Sequence, residues 1–153
     1  KSYNCKLVEI TGGEPLLQKE SINLMKELIK NKYTVMLETS GSLPISDVPK
    51  EVFKIIDFKC PSSNMSHKNR WDILHDIENH DEIKFVIGNK EDYEWSKKKI
   101  KEYKLQNKTI LFSPVFDKLE SEALSEWILN DSLNVRFQIQ LHKYIWHPDT
   151  KGV

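Results

Sequence analysis

The sequence has few cysteines and no surplus of charge of either sign. Its two cysteines, Cys5 and Cys60, do not make a disulfide framework and favour a reducing compartment, so we expect a cytoplasmic protein. The 23 basic and 23 acidic residues cancel, which leaves no large positive field. This balance argues against a nucleic-acid partner and against binding to anionic membranes.

Long apolar runs are also missing. No stretch reaches the length of a membrane-spanning helix, and we expect no signal peptide. With 39% hydrophobic and 30% charged residues, the composition predicts a single globular domain over residues 1–153. The first residue is Lys1 rather than Met, so we expect the natural start of the protein to be absent from this sequence.

Short apolar runs alternate with helical patterns along the chain. The runs are typical of buried strands and lie at residues 7–10, 33–37, 52–58, 83–87, 109–112 and 135–141. Apolar residues at helical spacing predict helices within residues 21–30, 93–105 and 119–129. The alternation predicts an α/β fold with a mostly parallel sheet and helices outside it. Ligands bind at the carboxyl ends of such strands, where polar or special-backbone residues occur at 11–15, 38–42, 59–63, 113–116 and 140–143.

The segment TGGEP, residues 11–15, follows the first predicted strand. Gly12 and Gly13 favour a backbone with positive φ and leave room for a ligand beside the chain. Glu14 has a carboxylate that could accept hydrogen bonds from an ammonium group. A plain glycine turn, with Glu14 helping the start of a helix, is the alternative interpretation.

TGGEP after a strand resembles the segment with which radical SAM enzymes bind S-adenosylmethionine. Four further segments, DFKCPSS at 57–63, KFVI at 84–87, FSPVF at 112–116 and NVRFQIQLHKYIW at 134–146, are similar to the 7-carboxy-7-deazaguanine synthase family. This resemblance runs from Thr11 to the end of the chain. It implies a partial (β/α) barrel of the radical SAM type, truncated at its N-terminal side.

The resemblance also implies an activity in queuosine and deazapurine biosynthesis. Members convert 6-carboxy-5,6,7,8-tetrahydropterin to 7-carboxy-7-deazaguanine with loss of ammonia. A 4Fe–4S cluster reduces S-adenosylmethionine to a 5′-deoxyadenosyl radical that abstracts a substrate hydrogen, and ring contraction follows under Mg²⁺. The implied partners are the pterin, a flavodoxin or ferredoxin as reductant, and a second copy in a homodimer.

Site residues follow from the same resemblance. The methionyl end of the cofactor would contact Gly13 and Glu14. The rest of its pocket would be lined by Ser40, Lys59, Ser62, Ser113, Pro114, Val115 and Phe116. Thr11 and His142 would face the pterin, and we expect the carboxylate of Val153 to fold back over the substrate.

Simpler interpretations exist for several of these residues. Ser40 and Ser113 could be ordinary turn residues, and Lys59 could be a solvated lysine. His142, in an apolar run that predicts a strand, could be a core histidine, and the end of the chain could be frayed.

One element of the family pattern is missing. Radical SAM enzymes hold their cluster with three thiolates of a CxxxCxxC loop, and Cys5 and Cys60 cannot supply that triad. We therefore expect the cluster cysteines and a magnesium-binding threonine upstream of Lys1, and expect this chain to be inactive by itself. Two alternatives stay open: another radical SAM enzyme, such as a glycyl-radical activase, or a non-catalytic remnant that still binds the nucleoside.

Overall fold

The structure, a computed structural model, describes residues 4–150. Parallel strands organise this part of the chain. The described residues form one six-stranded sheet with the order β1-β2-β3-β4-β5-β6, and every neighbouring pair is parallel. The strands are β1 (Leu7–Ile10), β2 (Thr34–Thr39), β3 (Phe53–Phe58), β4 (Glu82–Ile87), β5 (Thr109–Pro114) and β6 (Arg136–Phe137). Because all run the same way, their carboxyl ends meet at one rim.

Helices connect three of the five strand pairs. They are α1 (Ser21–Lys30) after β1, α2 (Lys90–Glu102) after β4 and α3 (Ser121–Asn130) after β5, and the four-residue α4 (His142–Ile145) follows β6. The connection before β3 contains turns, and the connection after it contains short 3₁₀ helices. Asn89 caps α2, because its side chain accepts a hydrogen bond from the backbone of Asp92 at 2.9 Å. The α/β prediction is confirmed.

The two faces of the sheet differ in polarity. On one face, strand residues such as Leu37, Phe85 and Phe112 are fully buried and belong to the core that Met25 of α1 and Leu124 of α3 complete. Side chains alternate along a strand, so the opposite face carries the intervening residues. Several of these are charged, including Glu9, Glu38, Asp57, Glu82 and Lys84. The sheet thus has a mostly apolar outer face under the helices, where the buried Lys54 is paired with Asp81 at 2.8 Å, and a more polar inner face.

Aromatic side chains reinforce the outer core beside β3. Trp71 stacks on Phe58 at 4.3 Å and on Tyr103 at 4.4 Å between ring centroids. Trp127 of α3 lies 5.4 Å from Tyr93 of α2. The tryptophans therefore pack helices and loops against the sheet.

The strand predicted for residues 135–141 is wrong in extent. Pairing with β5 ends at Phe137, and Gln138 adds one hydrogen bond, of 2.9 Å, to the carbonyl of Phe112. The chain then turns, so His142 begins α4 and does not lie in a strand. The apolar residues beyond the turn remain exposed, with Leu141 57% and Tyr144 59% accessible, so burial does not hold them in the sheet. Within residues 4–150, no helix has the length and apolar character needed to cross a membrane.

Candidate functional site

The TGGEP turn leaves the rim of the sheet at the end of β1. Gly12 has φ of +93° and Gly13 has φ of +56°, both in the left-handed region that other residues adopt only with strain. A Cβ at either position would meet no atom within 4 Å. The glycines therefore serve the backbone conformation, and the space beside them is open.

Glu14 is hydrogen-bonded to donors of its own chain. Its carboxylate accepts from the backbone of Leu16 at 3.1 Å and from the hydroxyl of Thr39 at 2.9 Å. It also accepts from Ser40, both from the backbone N–H at 2.8 Å and from the hydroxyl. Glu14 thus caps the 3₁₀ helix Pro15–Leu17 and fixes the end of β2. An ammonium group bound here would share oxygens that the protein already uses.

A charged cavity of about 200 Å³ opens on the inner face of the sheet. Lys84 donates to Glu38 at 2.6 Å, and Thr11 donates to the other oxygen of Glu38 at 3.3 Å. Burial raises the pKa of Glu9, with Glu38 adding to the rise and Lys84 opposing it. The lining residues are Glu9, Glu38, Ile55, Lys84, Gln138, Ile139, Gln140, Leu141 and His142. His142 thus lines this cavity, and Thr11 reaches it through Glu38.

A second cavity, of about 300 Å³, adjoins the first and shares Gln140 with it. Asp57 lines it, and only 9% of this residue is accessible. One carboxylate oxygen accepts from Lys59 at 2.6 Å, whereas the other is buried and has no hydrogen-bond partner among the described residues. Burial raises the pKa of Asp57 and the nearby Lys59 opposes the rise. A buried acceptor without a donor is costly, so this oxygen is suited to a ligand that brings one.

The segment after β3 forms one wall of this second cavity. Asn69 pairs with the backbone of Lys59 in both directions, since its oxygen accepts from the Lys59 N–H and its amide donates to the Lys59 carbonyl, each at 2.9 Å. Ser62 also lines the cavity, but its N–H and hydroxyl donate to Asp92. Burial raises the pKa of the Cys60 thiol to about 12, so this sulfur stays protonated near neutral pH.

The end of β5 supplies the remaining predicted residues. Ser113 is buried, and its hydroxyl has no partner among the described residues. Val115 lines the second cavity, and Pro114 and Phe116 line a neighbouring space of about 80 Å³. Phe116 packs edge-on against Tyr144 of α4 with 5.6 Å between ring centroids. Val153 lies outside the described residues.

The structure gathers the other predicted residues at one rim, in the TGGEP turn and around these neighbouring cavities. The assignments to cofactor and substrate remain predictions. Sequence reasoning missed Glu9, Glu38, Asp57 and Lys84. Alternation along the strands places all four on the inner face, but charge alone does not reveal this, because Lys54 lies in the same strand as Asp57 and on the outer face.

The donors needed for an iron–sulfur cluster are not assembled in the described part of the chain. Residues 4–150 contain no group of three His, Cys, Asp or Glu side chains placed to hold a metal ion. Cys5 is exposed near β1, whereas Cys60 is buried beside Ser96 with 3.5 Å between sulfur and oxygen. These two residues do not fit a cluster.

A larger cleft, of about 470 Å³, lies at the amino ends of β5 and β6. It is lined by Gln106, Asn107, Lys108, Thr109, Ile110, Asn134, Val135 and Arg136. Arg136 is paired with Glu82. None of the predicted site residues lies there, so the rim at the opposite strand ends is the candidate site.

The fold defines the class of protein first. The structure superimposes on SuiB of Streptococcus suis, solved bound to S-adenosylmethionine, with a TM-score of 0.59 over 88% of this chain and 38% of that one. At 15% identity this likeness shows the fold alone. The fold is a partial (β/α) barrel of the radical SAM type. No family model matches the sequence.

The particular family follows from the sequence comparisons. The chain is 43% identical to 7-carboxy-7-deazaguanine synthase of Koribacter versatilis, over 96% of the chain and 72% of that protein. It is 42% identical to the Chlorobaculum tepidum protein of the same name, over 99% of the chain and 71% of that protein. The chain belongs to the 7-carboxy-7-deazaguanine synthase family, whose members are radical SAM enzymes. The resemblance seen in the sequence is thereby confirmed.

Proposed function

We propose that these residues form the S-adenosylmethionine and pterin sites of a 7-carboxy-7-deazaguanine synthase. The enzyme would convert 6-carboxy-5,6,7,8-tetrahydropterin to 7-carboxy-7-deazaguanine with loss of ammonia. The observation that carries the proposal is the pair of adjoining cavities on the inner face of the sheet, which meet at Gln140. Adjoining cavities suit a reaction in which one bound molecule acts on another.

The second cavity suits S-adenosylmethionine. Lys59 would bind the methionyl carboxylate, and the free oxygen of Asp57 would accept a hydrogen bond from the same ligand. Gly13 would contact the methionyl end through its open backbone, with Glu14 and Ser40 holding that turn in place. Val115 and Phe116 offer apolar surface for an adenine ring. When bound, S-adenosylmethionine would supply the group that abstracts the substrate hydrogen.

The first cavity suits the pterin. Its pyrimidine edge carries N–H donors, for which the carboxylates of Glu9 and Glu38 are acceptors. Lys84 and His142 would bind the pterin carboxylate or carbonyl, and Thr11 would hold Glu38 in place.

The remaining components of the proposal concern groups that these residues do not hold. A 4Fe–4S cluster, Mg²⁺ and a flavodoxin or ferredoxin would complete the enzyme, which we propose to be a cytoplasmic homodimer. The 153 residues contain two cysteines where a cluster needs three. We therefore expect the chain, reconstituted anaerobically with iron and sulfide, not to cleave S-adenosylmethionine reductively. Formation of 5′-deoxyadenosine under those conditions would contradict this expectation.

Binding calorimetry tests the two assigned cavities separately. The probes are S-adenosylhomocysteine and 6-carboxypterin. Lys59→Met should weaken the first ligand about tenfold, and Glu38→Gln should weaken the second about tenfold, since each change removes one charge-assisted contact. Lys108→Met, in the cleft at the opposite strand ends, is the matched control and should change neither affinity.

Three outcomes would contradict this assignment. Equal effects of both site variants on both ligands would contradict the division into two cavities. Binding of the adenosyl ligand without the pterin would favour another radical SAM enzyme or a nucleoside-binding remnant. Binding of neither ligand to the wild-type chain would contradict the proposed sites in this chain.

A further inference from the structure

Asp92 lies in the first turn of α2 and has no accessible surface, and its carboxylate accepts three hydrogen bonds. Its carboxylate accepts from the backbone of Ser62 at 2.9 Å, from the Ser62 hydroxyl, and from the backbone of Gly88 at 2.9 Å. The first turn of a helix favours a carboxylate, because the backbone N–H groups there carry partial positive charge. Asp92 thus joins α2 to the wall of the second cavity and to the end of β4.

Two neighbouring features strengthen this junction. The hydroxyl of Ser96, one turn along α2, donates to the carbonyl of Asp92 at 2.8 Å and lies 3.5 Å from the sulfur of Cys60. At Gly88, a Cβ would come within 2.8 Å of the Ser62 hydroxyl oxygen and 3.2 Å of a carboxylate oxygen of Asp92. Only glycine lets the end of β4 approach this pair so closely. Gly88 and Ser96 therefore both support the contact between Ser62 and Asp92.

The same contact changes the role of Ser62. Its N–H and its hydroxyl proton are both used by Asp92, so Ser62 has no donor left for a ligand. Lys59 and Asp57, three and five residues earlier, present the charged groups to the cavity. Ser62 thus attaches the wall to Asp92, which lies outside the cavity, on α2.

We infer that Asp92 is a positioning residue that fixes the wall formed by residues 59–63 and thereby sets the affinity of the second cavity for its adenosyl ligand. The claim about the affinity for the adenosyl ligand rests on the proposed function. Asp92 itself does not line the cavity, so its effect on the ligand would pass through Ser62 and the turn Pro61–Ser63.

The test compares Asp92→Asn with Ser62→Ala and with Asp131→Asn. The asparagine keeps one acceptor oxygen but turns an amide donor toward N–H and O–H donors. Asp131 is the matched control, because its carboxylate also accepts from a hydroxyl, that of Tyr93 at 2.8 Å, but makes no hydrogen bond to residues 59–63. Two quantities are measured in each variant: the amide hydrogen exchange of residues 59–64 and the affinity for S-adenosylhomocysteine.

We expect Asp92→Asn to speed exchange at residues 59–64 about tenfold and to weaken the ligand about tenfold, with Asp131→Asn unchanged in both. Ser62→Ala should change both quantities in the same direction by about threefold. The double variant should bind the ligand no more weakly than Asp92→Asn, because both changes break one connection. Additive effects would instead indicate that Ser62 contacts the ligand directly.

Wild-type exchange at residues 59–64 in Asp92→Asn would overturn the inference, and so would faster exchange with unchanged affinity. If Asp92→Asn does not fold, Ser62→Ala decides by the same two measurements. If the wild-type chain does not bind S-adenosylhomocysteine, the proposed cofactor site fails, and exchange alone decides whether Asp92 fixes the wall.

Discussion

Two carboxylates at the same rim have opposite surroundings. Glu14, at the end of β1, accepts hydrogen bonds from Leu16, Thr39 and Ser40. Asp57, at the end of β3, is paired with Lys59 through one oxygen, while the other oxygen is buried without a partner among residues 4–150. Both positions carry an acid beside a polar cavity or turn, so residue type alone does not distinguish them.

Glu14 therefore supports the structure of the rim, whereas we propose Asp57 as part of a binding surface. Around Glu14 the protein satisfies its own polar groups, which stabilises the turn. Around Asp57 the protein leaves a buried acceptor unsatisfied, which lowers stability until a donor arrives. Binding sites commonly hold such groups, because an unsatisfied group gains more from a ligand than a satisfied one does.

The largest effect on stability is expected at Glu14. Glu14→Ala removes the acceptor for donors on two segments, the turn at Leu16 and the end of β2, where Thr39 is buried. The change should lower the free energy of unfolding by about 2–4 kcal/mol. Chemical denaturation followed by circular dichroism measures this. Glu20→Ala is the control, since Glu20 is exposed and, within residues 4–150, its carboxylate accepts only from the Asn23 side chain, at 2.8 Å. Equal losses for the two variants would remove the distinction between Glu14 and a surface acid.

An intermediate effect is expected at Asn69. Asn69→Ala removes both hydrogen bonds to the Lys59 backbone and should cost about 1–2 kcal/mol of stability. It should also weaken S-adenosylhomocysteine, because Lys59 loses its fixed position. The exposed Asn79, which accepts a 3.5 Å contact from Lys108, serves as the matched control in Asn79→Ala. An unchanged ligand affinity in a folded Asn69→Ala would show that Lys59 needs no such support.

The smallest effect on stability is expected at Asp57, together with a change in pH dependence. Burial raises its pKa above 3.8, Lys59 and Lys84 oppose the rise, and Glu38 adds to it. The folded state therefore holds the proton more tightly than the unfolded state, so this group stabilises the fold at low pH. That contribution is lost as the pH rises from about 4 through the raised pKa.

Asp57→Asn removes this titration. Its stability relative to wild type should therefore improve between about pH 4.5 and about pH 7, and at pH 7 the two proteins should differ by less than about 1 kcal/mol. Urea denaturation at the two pH values measures the difference. Glu51→Gln, an exposed acid near β3, is the control. A variant that loses stability relative to wild type as the pH rises would show that the carboxylate is held ionised by its neighbours.

Much of the fold was predictable from the sequence, because short apolar runs and helical spacing are local properties. The extents of five of the six strands, β1 to β5, and of the helices α1, α2 and α3 match the predicted segments, with shifts of a few residues at their ends. The prediction for 135–141 was wrong because an apolar run does not reveal whether a partner will bury it. At the edge of the sheet, β6 pairs on one side with β5 and ends after two residues.

By itself, the sequence determined the family, the positive φ of the glycine turn and the rim at which the strand ends gather. Each depends on residue identities at fixed spacing. Only the tertiary structure decided which polar groups are satisfied. Glu14 and Ser62 are hydrogen-bonded within the protein, whereas Asp57 keeps one acceptor free. That outcome depends on distant partners. Thr39 and Ser40 lie 25 and 26 residues from Glu14 in the sequence, and Asp92 lies 30 residues from Ser62. The parallel sheet brings these residues together.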